Sequence, residues 1–184
     1  LLAAVTGKEE DGVTVFDAKT GAEKFRIKAP KGAGAIAFSA DGAHLFVGQS
    51  RPSDDGNADP ILVRRYDLKT GKDVQSWKAL PIEKGAAQPD SRSVGAVLAL
   101  ANGKTLVVAE ERAFAPNQPP PGAPGRPGRV GEAVERVVRV IDLAGREPER
   151  TVRTGRVALG ADADGRWVAY GELDSSNLND MRVV

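Results

Sequence analysis

Apolar residues in this chain come in short runs that break at glycine-containing turns. Val13-Thr14-Val15 and Val138-Arg139-Val140 alternate apolar and polar residues, the period of two expected of a half-buried strand. The runs are rich in Val, Ile, Phe and Tyr, as strands are. They predict strands over 1–6, 12–17, 23–29, 34–39, 44–49, 61–67, 73–79, 94–100, 105–110, 136–142, 149–154, 157–161 and 166–171, and from 181 onward. No segment sustains a period of 3.6, so almost no helix is predicted.

Two phrases punctuate these runs in alternation. Val15-Phe16-Asp17-Ala18-Lys19-Thr20-Gly21 returns as Arg65-Tyr66-Asp67-Leu68-Lys69-Thr70-Gly71, and Val140-Ile141-Asp142-Leu143-Ala144-Gly145 is a worn copy. Between them lie Phe38-Ser39-Ala40-Asp41-Gly42, Leu100-Ala101-Asn102-Gly103 and Asp162-Ala163-Asp164-Gly165, whose glycines return about every 60 residues. Two turn types alternating at such a period mark a supersecondary unit of several strands. Asn-Gly and Asp-Gly suit a tight hairpin because the turn needs φ > 0, which Gly permits. In Asp-x-Lys-Thr-Gly the carboxylate can accept backbone N–H groups two residues on, the hydroxyl adds a weaker bond, and the Gly takes the left-handed position. Both phrases read as hairpin corners, not as chemistry.

The unit is therefore a four-stranded meander. An Asp-Gly or Asn-Gly corner joins its first two strands, and Asp-x-x-Thr-Gly joins its last two. In this it resembles the WD40-type β-propeller family, whose blades carry a Ser-Pro-Asp-Gly-like first corner (here Ser39-Ala40-Asp41-Gly42). The family's third strand ends in Trp-Asp. Here Phe16, Tyr66 and Ile141 hold the Trp place, and Asp17, Asp67 and Asp142 the Asp place. Asp-x-x-Thr-Gly followed by an aromatic is also similar to quinoprotein-like propellers, with Phe25 after the first copy and Trp77 after the second. The resemblance implies an all-β fold of four-stranded antiparallel blades. About three are present: 1–33, 34–93, 94–156 and an incomplete 157–184, with a Pro/Gly-rich insertion at 111–135. Propellers typically close with 4–8 blades, and an open arc leaves unpaired edges. Both ends of the chain read as strand interiors. The expectation is a piece of a larger closed propeller, completed by missing blades or by a second copy.

Composition narrows the function classes. With 26 basic and 25 acidic residues in 184, the net charge is +1, so no global field points to nucleic acid or an acidic membrane surface. The chain has no Cys, which excludes disulfides and thiolate metal sites. No apolar run is long enough for a membrane helix. No basic-then-apolar leader is visible; the compartment stays open, with the cytoplasm favoured.

Candidate chemistry is thin. His44 is the only histidine, so a Ser-His-Asp triad could be built only around it; beside the Asp41-Gly42 corner it is expected to face solvent. Asp54, Asp55, Asn57 and Asp59 offer oxygen ligands but lack the spacing of a Ca²⁺ loop, and read as a polar loop. No catalytic, metal or cofactor-binding residue is assigned. Trp77 and Trp167 read as packing residues. Arg136, Arg139, Arg146, Arg150, Arg153 and Arg156 interleave with Glu135, Glu147 and Glu149, and read as solvent-facing strand positions.

The asymmetry of the connections is more informative. The tight corners all fall on one rim of the blades. The connections 51–60, 81–93, 111–135 and 172–180 all fall on the other. Loops on rigid scaffolds carry function, so the elaborated rim is the candidate working face. Its longest insertion holds six of the 12 prolines. Pro121-Gly122-Ala123-Pro124-Gly125-Arg126 matches a Pro-x-x-Pro-x-Arg ligand, but the glycines break a stiff polyproline helix, and the insertion reads as a spacer. Arg112, Phe114, Arg126 and Arg129 form the candidate partner-binding patch. The leading expectation is a non-enzymatic scaffold that binds a protein partner. The alternative is a quinoprotein-like or lactonase-like enzyme whose site lies mostly outside this segment.

Overall fold

The computed structural model describes residues 2–5, 12–28, 32–49, 61–81, 89, 91–114, 133–154, 159–161 and 168–170. These form strands and turns only. The first sheet is three-stranded: β1 (Leu2–Val5), β2 (Val13–Phe16) and β3 (Glu23–Ile27). The second has four strands in chain order: β4 (Ala33–Phe38), β5 (His44–Gln49), β6 (Ile61–Asp67) and β7 (Asp73–Lys78). The third repeats that order with β8 (Ser91–Ala99), β9 (Thr105–Phe114), β10 (Ala133–Asp142) and β11 (Arg150–Thr154). Finally β12 (Leu159–Ala161) pairs with β13 (Val168–Tyr170). Every pairing is antiparallel.

Consecutive sheets pack face to face, and β8 lies against both β4 and β5. This is the stacking of β-propeller blades. Among the described residues the sheets do not close into a ring. Val13, Val15 and Ile27 of the first sheet meet Leu45, Val47 and Tyr66 of the second. The other face of the second sheet sends Phe46 and Val63 against Val94, Val97, Leu106, Val108 and Ile141 of the third. Being covered on both faces explains why β5 reads as a nearly continuous apolar run. By contrast β7, the last strand of its sheet, is mostly exposed. Its Asp73 and Lys78 suit an edge that must resist further pairing.

The corners form as the sequence predicts. Asp17 Oδ1 accepts the N–H groups of Lys19 (2.9 Å) and Thr20 (3.2 Å). Asp67 Oδ1 accepts those of Lys69 and Thr70, both at 2.8 Å. These bonds hold both carboxyls below the usual Asp range; for Asp17 the Lys19 N–H leads, and for Asp67 the Thr70 N–H. Gly21 and Gly71 close the two turns at φ 71° and 68°. Neighbouring corners are stitched together: Leu68 N donates to Ala43 O (2.9 Å) and Leu143 N to Lys104 O (2.8 Å). The short turns therefore share one rim within each four-stranded sheet.

The third sheet extends further than predicted. β8 begins at Ser91, β9 continues to Phe114, and β10 starts at Ala133. The connection between β9 and β10 is thus 115–132 rather than 111–135. Charged residues made this stretch look like a loop. They are instead cross-strand pairs, with Arg112 opposite Glu135 and Glu111 opposite Arg136, and opposite charges facing across a ladder support it. The expected Asp164-Gly165 corner and the 51–60 and 172–180 connections lie outside the described residues.

Candidate functional site

The corner Ser39-Ala40-Asp41-Gly42-Ala43-His44 brings a serine, an aspartate and the histidine together. Its geometry is that of a turn. Ser39 Oγ donates to Asp41 Oδ1 (2.6 Å) and accepts the His44 backbone N–H (2.9 Å). The Ser39 hydroxyl is the leading reason that the Asp41 carboxyl sits below its usual range. The imidazole is engaged elsewhere. Arg65 Nη2 lies 3.1 Å from His44 Nδ1 and 3.2 Å from Nε2. Near-equal distances to both ring nitrogens, which flank Cε1, place the guanidinium over the ring face rather than in line with either nitrogen. The carbon of that guanidinium is also 5.9 Å from the Phe46 ring centroid, within cation–π range. His44 is half-buried beneath Arg65, not turned to solvent as expected. It does not orient Ser39 as a nucleophile, since a base must hydrogen-bond the hydroxyl that it activates.

Among the described residues, the densest array of buried ionisable groups lies in the interface between the second and third sheets. Counting from the short corner, β9 turns Leu106, Val108, Glu110, Arg112 and Phe114 to one face, and the register places Ile141, Arg139, Val137 and Glu135 of β10 beside them. Near the corner the interface is apolar. Toward the elaborated rim it becomes charged. Glu110 is 0% exposed and Arg139 3%; Arg92, Arg112 and Glu135 are buried as well.

The partners are specific. Arg112 donates from Nε to Glu110 Oε1 (2.9 Å) and from Nη1 to Glu135 Oε2 (3.3 Å). Arg139 donates through Nη1 to Glu110 Oε2 (3.4 Å) and to the carbonyl of Lys78 (2.8 Å). Its remaining edge grips both carboxylate oxygens of Glu149. The peptide of Leu80, just past β7, is held from both sides. Its N–H donates to Glu110 Oε2 (3.3 Å), and its carbonyl accepts from Arg92 (3.1 Å) and Arg112 (3.4 Å). Arg112 and Arg139 thus share the buried Glu110, and each has a second carboxylate, the buried Glu135 and the exposed Glu149 respectively, as burial of ions requires.

Of the four residues expected to form a partner-binding patch, two are described. Arg112 belongs to the buried network, and Phe114 is 1% exposed; neither side chain stands on the surface. Arg126 and Arg129 lie outside the described residues. Arg139 and Glu135, read as solvent-facing, are also buried. The overlooked signal was phase: Glu110 and Arg112 keep the period-two parity of Leu106 and Val108, so they share the face that those residues bury. Trp77 packs against the interface core, its ring 6.0 Å from that of Phe46; Trp167 lies outside the described residues.

Comparison with known proteins gives one family match. The model of the Phytase-like family, described as "Esterase-like activity of phytase", matches residues 3–178. The WD40-type likeness therefore extends to corners and meander, not to family. No curated protein matches the sequence. Among solved structures, the tricorn protease is similar at 19% identity and a TM-score of 0.49, over 96% of this chain and 15% of that one. A structure titled "eukaryotic initiation factor" is similar at 12% identity and a TM-score of 0.40, over 100% of this chain and 54% of that one. The chain thus spans between about a seventh and about a half of the length of these proteins.

Proposed function

Because the chain belongs to the Phytase-like family, we propose that it forms part of a β-propeller enzyme with an esterase-like activity, and that its elaborated rim borders the ester site. The family match over residues 3–178, which takes in all the sheets, carries this reading. It favours the enzyme alternative over the protein-binding scaffold.

The division of labour between the rims supports the same reading. The rim of short corners is occupied by self-contained turns, whose Asp, Ser and Thr oxygens are engaged within the turn. At the other rim the ends of β9 and β10 carry Arg and Glu in number, and the connections 79–90 and 115–132 leave from it. Ester hydrolysis needs an activated oxygen nucleophile and donors for the developing oxyanion. Among the described residues Ser39 and His44 do not supply the first, because the Ser39 hydroxyl is engaged within its turn and the His44 ring with Arg65. The test is direct. The full-length protein is incubated with a chromogenic carboxylic ester and a chromogenic phosphate monoester, and release of the alcohol is followed. Turnover of either above the rate of heat-denatured protein is expected. A folded protein that turns over neither would overturn the enzyme reading and return the scaffold to first place.

A further inference from the structure

The two sheet interfaces differ in kind. Among the described residues the buried charged side chains are Arg92, Glu110, Arg112, Glu135 and Arg139, and all five lie on β8, β9 and β10. The interface between the first and second sheets is built instead from apolar side chains such as Val13, Val15, Ile27, Leu45 and Val47. What the second sheet offers the buried ions is backbone at the end of β7. Arg139 takes the carbonyl of Lys78. Arg92 and Arg112 take the carbonyl of Leu80, and Glu110 takes its N–H. This set of bonds is complete only when Lys78 and Leu80 sit where they do.

We propose that this array is a stacking key: it selects the end of β7 as the neighbour of the third sheet and rejects a sheet from a second copy of the chain. Apolar faces discriminate poorly, because side chains of similar size replace one another at small cost. The contacts of Phe46 and Val63 with Val94, Val97 and Val108 are of that kind. A buried guanidinium is stricter. It is a rigid fork whose donors need acceptors at fixed places, and a displaced carbonyl leaves a buried donor unpaired. Specificity of this sort comes from the cost imposed on the wrong partner. Net stability gains little from buried ions, since desolvation offsets most of their attraction. The array therefore acts on which sheet is chosen more than on how tightly it is held, whether or not the protein turns over an ester.

Two variants of the full-length protein separate selection from stability. Arg139→Met removes the bond to Lys78 and leaves Glu110 with Arg112 and the Leu80 N–H. Val108→Ala trims the apolar part of the same interface and serves as the control. Each protein is unfolded in urea and returned to the same fraction of its own unfolding midpoint, so that stability is matched, and its mass is followed by light scattering over a range of protein concentrations. The Val108→Ala protein should return to native mass as the wild type does. The Arg139→Met protein should show roughly fivefold more material of higher mass, increasing with concentration. In that material the Leu80 amide should exchange about tenfold faster than in the native protein while the amides of 106–110 stay protected, because the sheets persist and only their stacking has changed. Equal amounts of high-mass material from the two variants, or a Leu80 amide that stays protected within it, would overturn the key. If Arg139→Met does not fold, Arg139→Lys, which keeps the charge without the fork, must show the same excess over Val108→Ala, and parity there overturns the proposal equally. If the wild type does not return to native mass, the comparison is made on freshly purified protein, with the same outcomes deciding.

Discussion

At the residue scale, Tyr66 shows how a position with no chemistry of its own sets a pH limit. It holds the aromatic place before the second Asp-x-Lys-Thr-Gly corner and is buried against the first sheet. Burial pushes its hydroxyl up from 10.0 to about 12. The sign follows from linkage. The unfolded chain begins to ionise this group near 10.0, while the folded chain keeps it protonated until about 12. Stability is complete below the unfolded value and is lost as the pH rises through that window. Urea unfolding should therefore show Tyr66→Phe gaining on the wild type between about pH 9 and about pH 11.5. An offset between the two proteins that stays constant would show that desolvation does not govern this hydroxyl. The corner residues are legible at the same scale for a simpler reason. Asp17 and Asp67 bond backbone groups two and three residues away, so everything that determines their conformation lies within one turn of chain.

At the scale of elements, the fit between sheets depends on a glycine that sequence alone would count as a flaw. Gly48 sits within β5, where glycine weakens a strand. A Cβ placed there would come within 2.6 Å of Val94 Cγ1 and 2.9 Å of Val94 Cβ. Val94 belongs to β8 of the next sheet, so the missing side chain is what lets the two sheets approach. Gly48→Ala should destabilise the fold by about 1–3 kcal/mol, the range for overpacking a filled interior. Chemical denaturation measures this, and adding Val94→Ala should recover part of the loss. Full additivity of the two costs would show that they do not share this contact. The strand ends of the third sheet carry the same lesson. Opposite charges at Arg112 and Glu135 extend the ladder, though each residue alone reads as loop.

At the scale of the whole molecule, the two rims differ in how they tolerate change. Phe114 and Ala133 are paired directly across the β9–β10 ladder, so the strand ends meet whatever lies between them. Deleting 115–128 would leave 129–132 as a four-residue connection, a common hairpin length. The shortened protein should unfold within a few degrees of wild type by calorimetry; a loss of roughly ten degrees or more would show that the insertion packs as structure. The all-β class, the alternating corners and the separation of a short rim from a long one were determined by sequence alone. Each rests on a period-two pattern or on bonds within a turn, and local chemistry is enough to specify those. The burial of Arg112, Arg139, Glu110 and Glu135 was decided only by tertiary structure. Strand parity tells which residues share a face, but it cannot tell which sheet covers that face or how far along the cover reaches. That is determined by the approach of β7 and Leu80, some 30 residues earlier in the chain than Glu110, and it turns apparent surface charges into the interior of the interface.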